Sequence, residues 1–266
     1  NPISINCNPN ANFTADTICE GDYTTFTNTS TNGGTGPIIT QWNWNMGVAT
    51  GNYVLLTTNT SPNPRYEFNT SSSYPINLEI TDTYGCLDDA TIIVTVYSNP
   101  IAIIDSVSPV CEGDTTLFTN SSFGSTPIDT WSWNMGGSGN YVGGTNANSP
   151  NPQYVYDNCN TFNVTLTVTD SNGCTHDTTI TVTVHCLPIV NFTSSIECQG
   201  DSTIFTPTTD TLITGNSIVD WNWSFGSNVA NDSFNFDTCG IDVLDVTLTV
   251  IDNQLPACTA SITNPI

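Results

Sequence analysis

The sequence predicts an all-β protein made of three tandem copies of one small domain. Thr, Val, Ile and aromatic residues, which favour strands, recur throughout the 266 residues, and no long stretch shows the 3.6-residue period of a helix. Asn, Gly and Pro interrupt these runs at short intervals, as is typical of β turns. The motif Cys-x-Gly-Asp occurs three times, starting at Cys19, Cys111 and Cys198, which are 92 and 87 residues apart.

The segments between the motifs repeat in the same order. The first cysteine of each motif, here called the opening cysteine, is followed by an alternating run and then by a tryptophan pair: Trp42 and Trp44, Trp131 and Trp133, Trp221 and Trp223. A longer alternation over residues 76–82, 162–170 and 243–252 ends just before a second cysteine, here called the turn cysteine: Cys86, Cys174 and Cys258. Alternation of period two predicts strands with one buried face.

A closing strand is predicted after the turn cysteine of the first two copies, over residues 91–96 and 179–184. Only eight residues follow Cys258, so we expect the third copy to lack this strand. Residues 1–7 resemble the end of the second copy, and we expect them to be the closing strand of a preceding third domain. The predicted domains then cover residues 8–98, 99–186 and 187–266.

The two ends of the chain both contain Asn-Pro-Ile, and overlaying them gives a junction with 11 residues between two cysteines, as between Cys174 and Cys186. This predicts a period of about 263 residues in a longer tandem polymer. A second version of the polymer consists of separate subunits. In it, the N-terminal strand of one subunit completes the third domain of the next subunit, through Ser4, Ile5, Asn6 and Cys7. The alternative is that Asn-Pro-Ile is only a common linker, since it also occurs at residues 99–101.

The charge of the chain is one-sided. A single basic side chain, Arg65, stands against 24 Asp and Glu, for a formal net charge of −23. Nucleic acid is excluded as a partner, because its binding relies on Lys and Arg to replace phosphate counterions. The sequence contains no signal-peptide pattern and no 18-residue apolar run, so we expect no membrane span in this segment.

Ten cysteines in small β domains predict an oxidising, extracellular compartment. Each copy has one opening and one turn cysteine, which favours bonds within copies: Cys19–Cys86, Cys111–Cys174 and Cys198–Cys258. Cys159 and Cys186 are present together in the second copy and absent together from the first, which predicts a fourth bond between them. Cys239 would then pair with Cys7 of the next repeat. Zinc is disfavoured, because there is no CxxC pair and His176 and His185 have no ligand cluster.

Several of these features together resemble a PKD-type immunoglobulin-like domain. They are the tryptophan motif, the Tyr-x-Phe or Tyr-x-Tyr run, the strand ending in Thr-Asp or Ile-Asp, and the Gly-Cys turn. More narrowly, the copies resemble the cysteine-containing PKD-like repeats of large surface proteins in gliding and adhesive bacteria. The resemblance covers nearly the whole chain and implies β-sandwiches of about seven strands, used in a stalk, adhesin or filament. The family's Trp-Asp-Phe-Gly-Asp-Gly motif is here Trp42-Asn-Trp-Asn-Met-Gly47, without either acidic residue.

Residues two apart on a strand share one face, so both members of each tryptophan pair point the same way. We expect all six tryptophans to belong to the core, with at least one of each pair between the sheets beside a disulfide. The alternative is an exposed platform on which a sugar stacks.

Catalysis is not expected, because the chain has no Lys, one Arg, two His and no nucleophile motif. No cofactor is expected except possible calcium, for which hard oxygen ligands are required. The calcium candidates are Asp88, Asp89, Asp237, Asp242 and Asp245. A solvated acidic surface is the alternative use of these residues.

Glycosylation is the other chemistry that the sequence allows. Nine Asn-x-Ser/Thr sequons occur, at Asn12, Asn28, Asn59, Asn69, Asn120, Asn163, Asn191, Asn222 and Asn231. The resemblance to bacterial surface proteins adds three O-glycan candidates: Thr17, Ser106 and Thr211.

These observations favour a non-enzymatic extracellular structural protein whose copies join head to tail with further copies of itself in a linear filament or stalk. The alternative is an adhesin or carbohydrate-binding segment, whose loops at residues 31–37, 47–59 and 136–148 would contact surface glycans.

Overall fold

The computed structural model describes residues 8–34, 36–197, 200–212, 216–235 and 244–266. These residues form 22 strands and no helix, which confirms the all-β prediction. Consistent with this, the described part of the chain has no helix of the length and apolar character that a membrane span requires.

The first copy forms two main sheets. Its strands are β1 (Phe13–Thr14), β2 (Ile18–Cys19), β3 (Tyr23–Thr25), β4 (Thr27–Asn28), β5 (Ile39–Asn45), β6 (Gly51–Tyr53), β7 (Arg65–Phe68), β8 (Ser72–Asp82) and β9 (Leu87–Tyr97). One sheet has the order β2-β9-β8-β5 and the other β3-β7-β6, while β1 pairs with β4. Strands β2 and β9 are parallel, whereas the other pairs are antiparallel.

The alternation of β8 positions the core of the first copy. Ile76, Leu78 and Ile80 are fully buried at every second position, because successive side chains of a strand point to opposite faces. They join Phe26 and Phe68 in one cluster to which both sheets contribute. Burial of each such side chain stabilises the fold by about 1.5–3 kcal/mol.

The second copy repeats this arrangement. Its strands are β10 (Val110–Cys111), β11 (Thr115–Leu117), β12 (Ile128–Asn134), β13 (Gly139–Val142), β14 (Gln153–Tyr156), β15 (Asn160–Asp170) and β16 (Thr175–His185). The sheets have the orders β10-β16-β15-β12 and β11-β14-β13, which match those of the first copy strand for strand.

The third copy has two three-stranded sheets, ordered β17-β18-β20 and β19-β21-β22. Its strands are β17 (Ile189–Ser194), β18 (Ser202–Asp210), β19 (Ile218–Trp223), β20 (Asp232–Asn235), β21 (Asp245–Asp252) and β22 (Thr259–Pro265).

Strand β22 is the closing strand of the third copy, so the expectation that this copy lacks one is wrong. It pairs with β21 along its whole length, from Ile251 opposite Thr259 to Asp245 opposite Pro265. The run is short and rich in Thr, Ser and Asn, but antiparallel pairing rests on backbone hydrogen bonds and does not need a long apolar run. At 7 residues β22 is shorter than β9 and β16, which have 11 each.

Contacts divide the chain into two compact units. The first contains the chain up to Ala102 together with Ser122–Thr130 and Thr167–Asp177. The second contains Ile103–Ser121, Trp131–Leu166 and Thr178–Ile266. The domain boundaries at residues 8–98, 99–186 and 187–266 stay predictions.

Candidate functional site: cysteine junctions between copies

Two disulfides join one copy to the next. Cys19 is bonded to Cys174 with a Cα–Cα distance of 5.5 Å, and Cys111 is bonded to Cys258 with a Cα–Cα distance of 5.7 Å. Each of these opening cysteines is therefore bonded to the turn cysteine of the following copy. The bonds predicted within copies are wrong: Cys19–Cys86, Cys111–Cys174 and Cys198–Cys258.

Strand geometry explains this correction. Cys19 lies opposite Tyr97 at the far end of β9, whereas Cys86 directly precedes the first residue of the same strand. Eleven residues of strand, at about 3.3 Å each, extend roughly 35 Å. A disulfide requires Cα atoms within about 7 Å of each other, so Cys19 and Cys86 cannot meet. The number of cysteines in a copy does not reveal which end of the sandwich each one occupies.

The opening cysteine is held by a two-residue strand and a glycine turn. Cys19 in β2 and Cys111 in β10 pair in parallel with the ends of β9 and β16. In both motifs the N–H of the Asp donates to the carbonyl oxygen of the opening cysteine at 3.0 Å. The turn requires a left-handed residue: φ is +86° at Gly21 and Gly113 and +88° at Gly200. Glycine adopts this conformation at the least cost, so the motif fixes the direction of the chain beside the cysteine.

The turn cysteine is held by the aspartate that ends the preceding strand. In every copy the Oδ1 atom of this aspartate accepts a hydrogen bond from the backbone N–H of the turn cysteine. The distances are 2.9 Å for Asp82 and Cys86, 2.9 Å for Asp170 and Cys174, and 2.8 Å for Asp252 and Cys258. All three aspartates are buried. A buried carboxylate that caps a turn in this way fixes the loop that carries the cysteine.

The second carboxylate oxygen of these aspartates has a different environment in each copy. Oδ2 of Asp170 accepts a hydrogen bond from the Thr126 hydroxyl at 2.8 Å. Oδ2 of Asp252 accepts one from Nε2 of Gln254. Oδ2 of Asp82 is buried and has no hydrogen-bond partner among the described residues. Such an atom is costly, since it loses its water without gaining a protein donor.

Polar contacts reinforce the junction between the second and third copies. Nε2 of Gln254 also donates to the carbonyl oxygen of Cys186 at 3.0 Å. Nε2 of His185 donates to the carbonyl oxygen of Leu255 at 3.2 Å. The linker residue Pro188 is buried. The turn of the third copy is therefore packed against the end of the second copy by a disulfide and two hydrogen bonds.

The predicted Cys159–Cys186 bond is present, with a Cα–Cα distance of 4.7 Å. It joins the residue before β15 to the residue after β16 and so clips these strands together at one end. The bond between Cys239 and Cys7 of another repeat stays a prediction. Several residues of the remaining predictions lie outside the described part of the chain: Ser4, Ile5, Asn6, Cys7, Cys198 and Cys239.

Each tryptophan pair has one buried and one half-buried member. Trp44, Trp133 and Trp223 are buried, whereas Trp42, Trp131 and Trp221 are half-buried. The ring of Trp44 contacts those of Phe13 and Phe26, with centroids 4.8 and 5.3 Å away, and its Nε1 donates to the carbonyl oxygen of Ser61 at 2.9 Å. The expected disulfide beside this ring is absent from its described surroundings, because the two bonds of the opening cysteines lie at the junctions.

The acidic candidates for calcium make local hydrogen bonds. Asp88 Oδ2 accepts the backbone N–H of Ala11 at 2.7 Å, and Asp89 Oδ2 accepts Nδ2–H of Asn77 at 2.9 Å. Asp245 begins β21. No group of three or more His, Cys, Asp or Glu within the described ranges is arranged to hold a metal ion. Asp237 and Asp242 lie outside those ranges, and calcium binding stays a prediction.

The glycosylation candidates differ in exposure. The exposed sequon asparagines are Asn12, Asn59, Asn69, Asn163, Asn191, Asn222 and Asn231, whereas Asn28 and Asn120 are half-buried. Thr17 and Ser106 are exposed, and the half-buried Thr211 donates its hydroxyl to the carbonyl oxygen of Asn216 at 3.0 Å. Modification at any of these positions stays a prediction.

A shallow cavity of about 400 Å³ lies beside the edge strand β5 of the first copy. Trp42, Asn43, Thr60 and Glu79 are among the residues that line it. The Nε1 atom of Trp42 is buried and has no partner among the described residues. This cavity combines an aromatic side chain with polar groups.

Comparison with solved structures gives likenesses to chains of immunoglobulin-like domains. The titin I-band fragment I67–I69 is 11% identical, with a TM-score of 0.40, over 95% of this chain and 96% of that one. The eight N-terminal Ig domains of Down Syndrome Cell Adhesion Molecule are 13% identical, with a TM-score of 0.38, over 98% and 42%. The D00-D0 domain of intimin is 14% identical, with a TM-score of 0.32, over 65% and 96%. These scores support no inference about what the chain binds.

The sequence comparisons give the family. A search of curated proteins finds no match. The PKD domain family matches residues 6–96 and 97–186, which together make up more than half of the chain. Tandem immunoglobulin-like sandwiches of this kind, joined by disulfides, are typical of extracellular structural and adhesion modules. The sandwich topology of the first two copies and this match agree with the resemblance seen in the sequence, and the chain belongs to the PKD domain family.

Proposed function

We propose that this chain is a non-enzymatic extracellular structural protein that forms a linear filament or stalk by joining its PKD-type domains head to tail. The observation that carries the proposal is the direction of the two disulfides between copies. Cys19–Cys174 and Cys111–Cys258 each run from the opening cysteine of one copy to the turn cysteine of the next. Because every junction links a copy to the next one in the same direction, further copies can be added in the same way without limit, which gives a linear filament.

The position of these bonds suits a protein under tension. Each bond lies in parallel with the short peptide linker between two copies, 98–100 at the first junction and 187–188 at the second. A force that stretches the linker is also borne by the disulfide, so the copies stay attached when noncovalent contacts yield. The bonds require an oxidising compartment, which supports an extracellular location.

The charge of the chain supports the same role. A formal net charge of −23 with a single Arg makes the lateral faces of neighbouring molecules repel each other. Repulsion between sides, together with covalent attachment at ends, favours thin filaments over disordered aggregates. The repulsion is screened at high salt, where bundles of filaments should become more common.

Electron microscopy of the native material tests the proposal. We expect filaments whose length is retained in denaturant. Length that is lost when the denaturant also contains a reducing agent indicates separate chains joined by disulfides, whereas length that survives reduction indicates a tandem polypeptide. Single molecules of one chain length, seen by analytical ultracentrifugation under oxidising conditions, would contradict it. The period of about 263 residues is tested by mass spectrometry for the junction peptide Cys-Thr-Ala-Ser-Ile-Thr-Asn-Pro-Ile-Ser-Ile-Asn-Cys. A native amino terminus at Asn1 would instead favour separate subunits.

The cavity beside β5 favours adhesion as the second candidate function. Its Trp42 wall and its polar groups Asn43, Thr60 and Glu79 would suit a carbohydrate. A glycan array probed with the oxidised chain tests this candidate. Binding that is lost in Trp42→Ala and kept in Val48→Ala, a variant of an exposed side chain, would support it; an array without binding would contradict it.

A further inference from the structure

We propose that Cys86 forms a disulfide bond with Cys198 of a second copy of this chain. This inference rests on the proposed head-to-tail filament and names the covalent bond that would extend it from one copy of the chain to the next. It replaces the predicted Cys198–Cys258 bond, because Cys258 is already bonded to Cys111.

The position of Cys86 is the first observation. Cys86, Cys174 and Cys258 occupy the same turn, since in each case the N–H of the cysteine donates to the aspartate that ends the preceding strand. Cys174 and Cys258 are both bonded to the opening cysteine of the copy before them. Of the cysteines that the structure describes, Cys86 is the one with a free thiol. It is the turn cysteine of the first of the three copies in this sequence.

The carboxylate beside Cys86 is the second observation. Asp82 is 4% exposed, and its Oδ2 atom has no partner within the described residues. At the matching position of the third copy, Gln254 links Asp252 Oδ2 to the carbonyl oxygen of Cys186 in the preceding copy. Asp170 of the second copy uses Thr126 of its own copy instead. The unsatisfied Oδ2 of Asp82 is therefore an acceptor that a neighbouring copy can satisfy, at the position where Gln254 links Asp252 to the second copy.

The surroundings of Cys86 agree with a covered surface. Cys174 and Cys258 are 1% and 0% exposed in their junctions, whereas Cys86 is half-buried. The side chains of Tyr84 and Leu87, on either side of Cys86, are exposed. Exposed apolar side chains beside a free thiol fit a protein partner better than bulk water.

The opening motif of the third copy supplies the matching half. Cys198 itself lies outside the described residues, but the motif Cys198-Gln-Gly-Asp201 has the residue pattern of the two motifs that form bonds. Gly200 has φ of +88°, against +86° at Gly21 and Gly113. Gly200 therefore has the same left-handed backbone conformation as the glycines that follow Cys19 and Cys111.

The bond forms by oxidation of two thiols. Cys86 and Cys198 together lose two protons and two electrons and gain one S–S bond. The electrons pass to a disulfide reagent of the extracellular space, whose own S–S bond is cleaved to two thiols by exchange through a mixed disulfide.

Two complementary variants test the inference. The variant Cys86→Ser keeps Cys198 but cannot use Cys86, and the variant Cys198→Ser keeps Cys86 but cannot use Cys198. Both variants also carry Cys7→Ser and Cys239→Ser, which remove the other predicted bond between copies. Each variant is incubated with oxidised and reduced glutathione, alone and mixed with the other. Non-reducing electrophoresis measures linked chains, and peptide mapping identifies them. The same map must show Cys19–Cys174 and Cys111–Cys258, which establishes that each variant has folded.

We expect each variant alone to stay a single chain, the mixture to give linked dimers and nothing longer, and the background chain to give a ladder. The map of the dimer should contain the peptide of Cys86 joined to that of Cys198. A mixture without dimers, or Cys86 found joined to another cysteine, overturns the inference. If filaments form but Cys86 still reacts with a thiol reagent, the inferred Cys86–Cys198 bond is wrong, while the proposed filament is still supported. Absence of both filaments and linked chains would overturn both.

Discussion

Cys111 and Cys258 are covalently bonded with their Cα atoms 5.7 Å apart, although 147 residues separate them along the chain. A bond that closes so long a loop removes much conformational freedom from the unfolded chain. The same bond fastens the end of one copy to the turn of the next. It therefore couples the stability of neighbouring copies as well as their attachment.

Removing this bond should lower the stability of the second and third copies. In the variant Cys111→Ser, Cys258→Ser, we expect the free energy of unfolding to fall by about 5 kcal/mol, the value that the loop-closure relation gives for a loop of this length. Urea unfolding followed by tryptophan fluorescence measures the change. The variant and the parent should have the same midpoint once both are fully reduced; a difference that persists after reduction would show that the substitutions act through packing.

Gly136 should tolerate a methyl group less well than Gly144. Both have left-handed backbones, with φ of +70° and +74°. A Cβ at Gly136 would lie 2.2 Å from the carbonyl oxygen of Asn163, whereas a Cβ at Gly144 meets nothing within 4 Å. Gly144→Ala should therefore cost only the backbone strain, about 1–2 kcal/mol. Gly136→Ala should cost clearly more, measured by thermal unfolding of the two variants. Equal losses would show that the clash is relieved by a small shift.

The sequence allowed the fold to be predicted wherever periodicity decides the structure. The alternation over residues 76–82 became part of β8, and one tryptophan of each pair became a core residue of the strand that carries it. Both patterns are local, because a strand with one buried face must place apolar side chains at every second position. The Cys159–Cys186 bond was also predictable, since both cysteines are absent together from the first copy.

The disulfides between copies could not be predicted from the number of cysteines in each copy, because that number says nothing about the distance between the cysteines in the folded domain. Cys19 and Cys86 are one opening and one turn cysteine of the same copy, yet a whole strand lies between them. To predict the pairing of Cys19, one would need to know which residues of β9 lie opposite the two-residue strand β2. A parallel pairing this short leaves no periodic pattern in the sequence. Likewise β22 was missed because its pairing with β21 depends on backbone hydrogen bonds, which the side chains of Thr, Ser and Asn do not reveal.

Trp44 should be among the residues on which the first copy depends most. It is 3% exposed, and it packs against Phe13 and Phe26. Trp44→Ala removes this ring and the hydrogen bond to Ser61, and we expect a loss of about 3–5 kcal/mol. Val48→Ala, at a side chain that is 86% exposed, is the control and should change stability by less than about 0.5 kcal/mol. Urea unfolding of both variants distinguishes a core role from a binding platform, which would leave stability unchanged.

Tyr156 should make the stability of the chain fall at alkaline pH. Its ring is stacked on Phe162 with centroids 4.4 Å apart, and its hydroxyl donates to the carbonyl oxygen of Met135 at 3.1 Å. Burial, and to a smaller extent the neighbouring Tyr154 and Tyr141, raises the pKa of this phenol far above its usual value of 10.0. Burial likewise raises the pKa of Tyr53 to about 12.

Because the folded state holds these protons more tightly, the unfolded chain loses them first as pH rises above 10. The stabilisation from Tyr156 is therefore complete below pH 10 and is lost as pH rises toward the pKa of the folded state. Tyr156→Phe keeps the ring, loses the hydrogen bond at a cost of about 1 kcal/mol at neutral pH, and should reduce the alkaline loss of stability. Urea unfolding at pH 8 and pH 11, with free thiols blocked so that disulfides do not exchange, measures both effects. Tyr84→Phe, at an exposed side chain, is the matched control; an equal alkaline loss in the parent, Tyr156→Phe and Tyr84→Phe would show that other groups cause it.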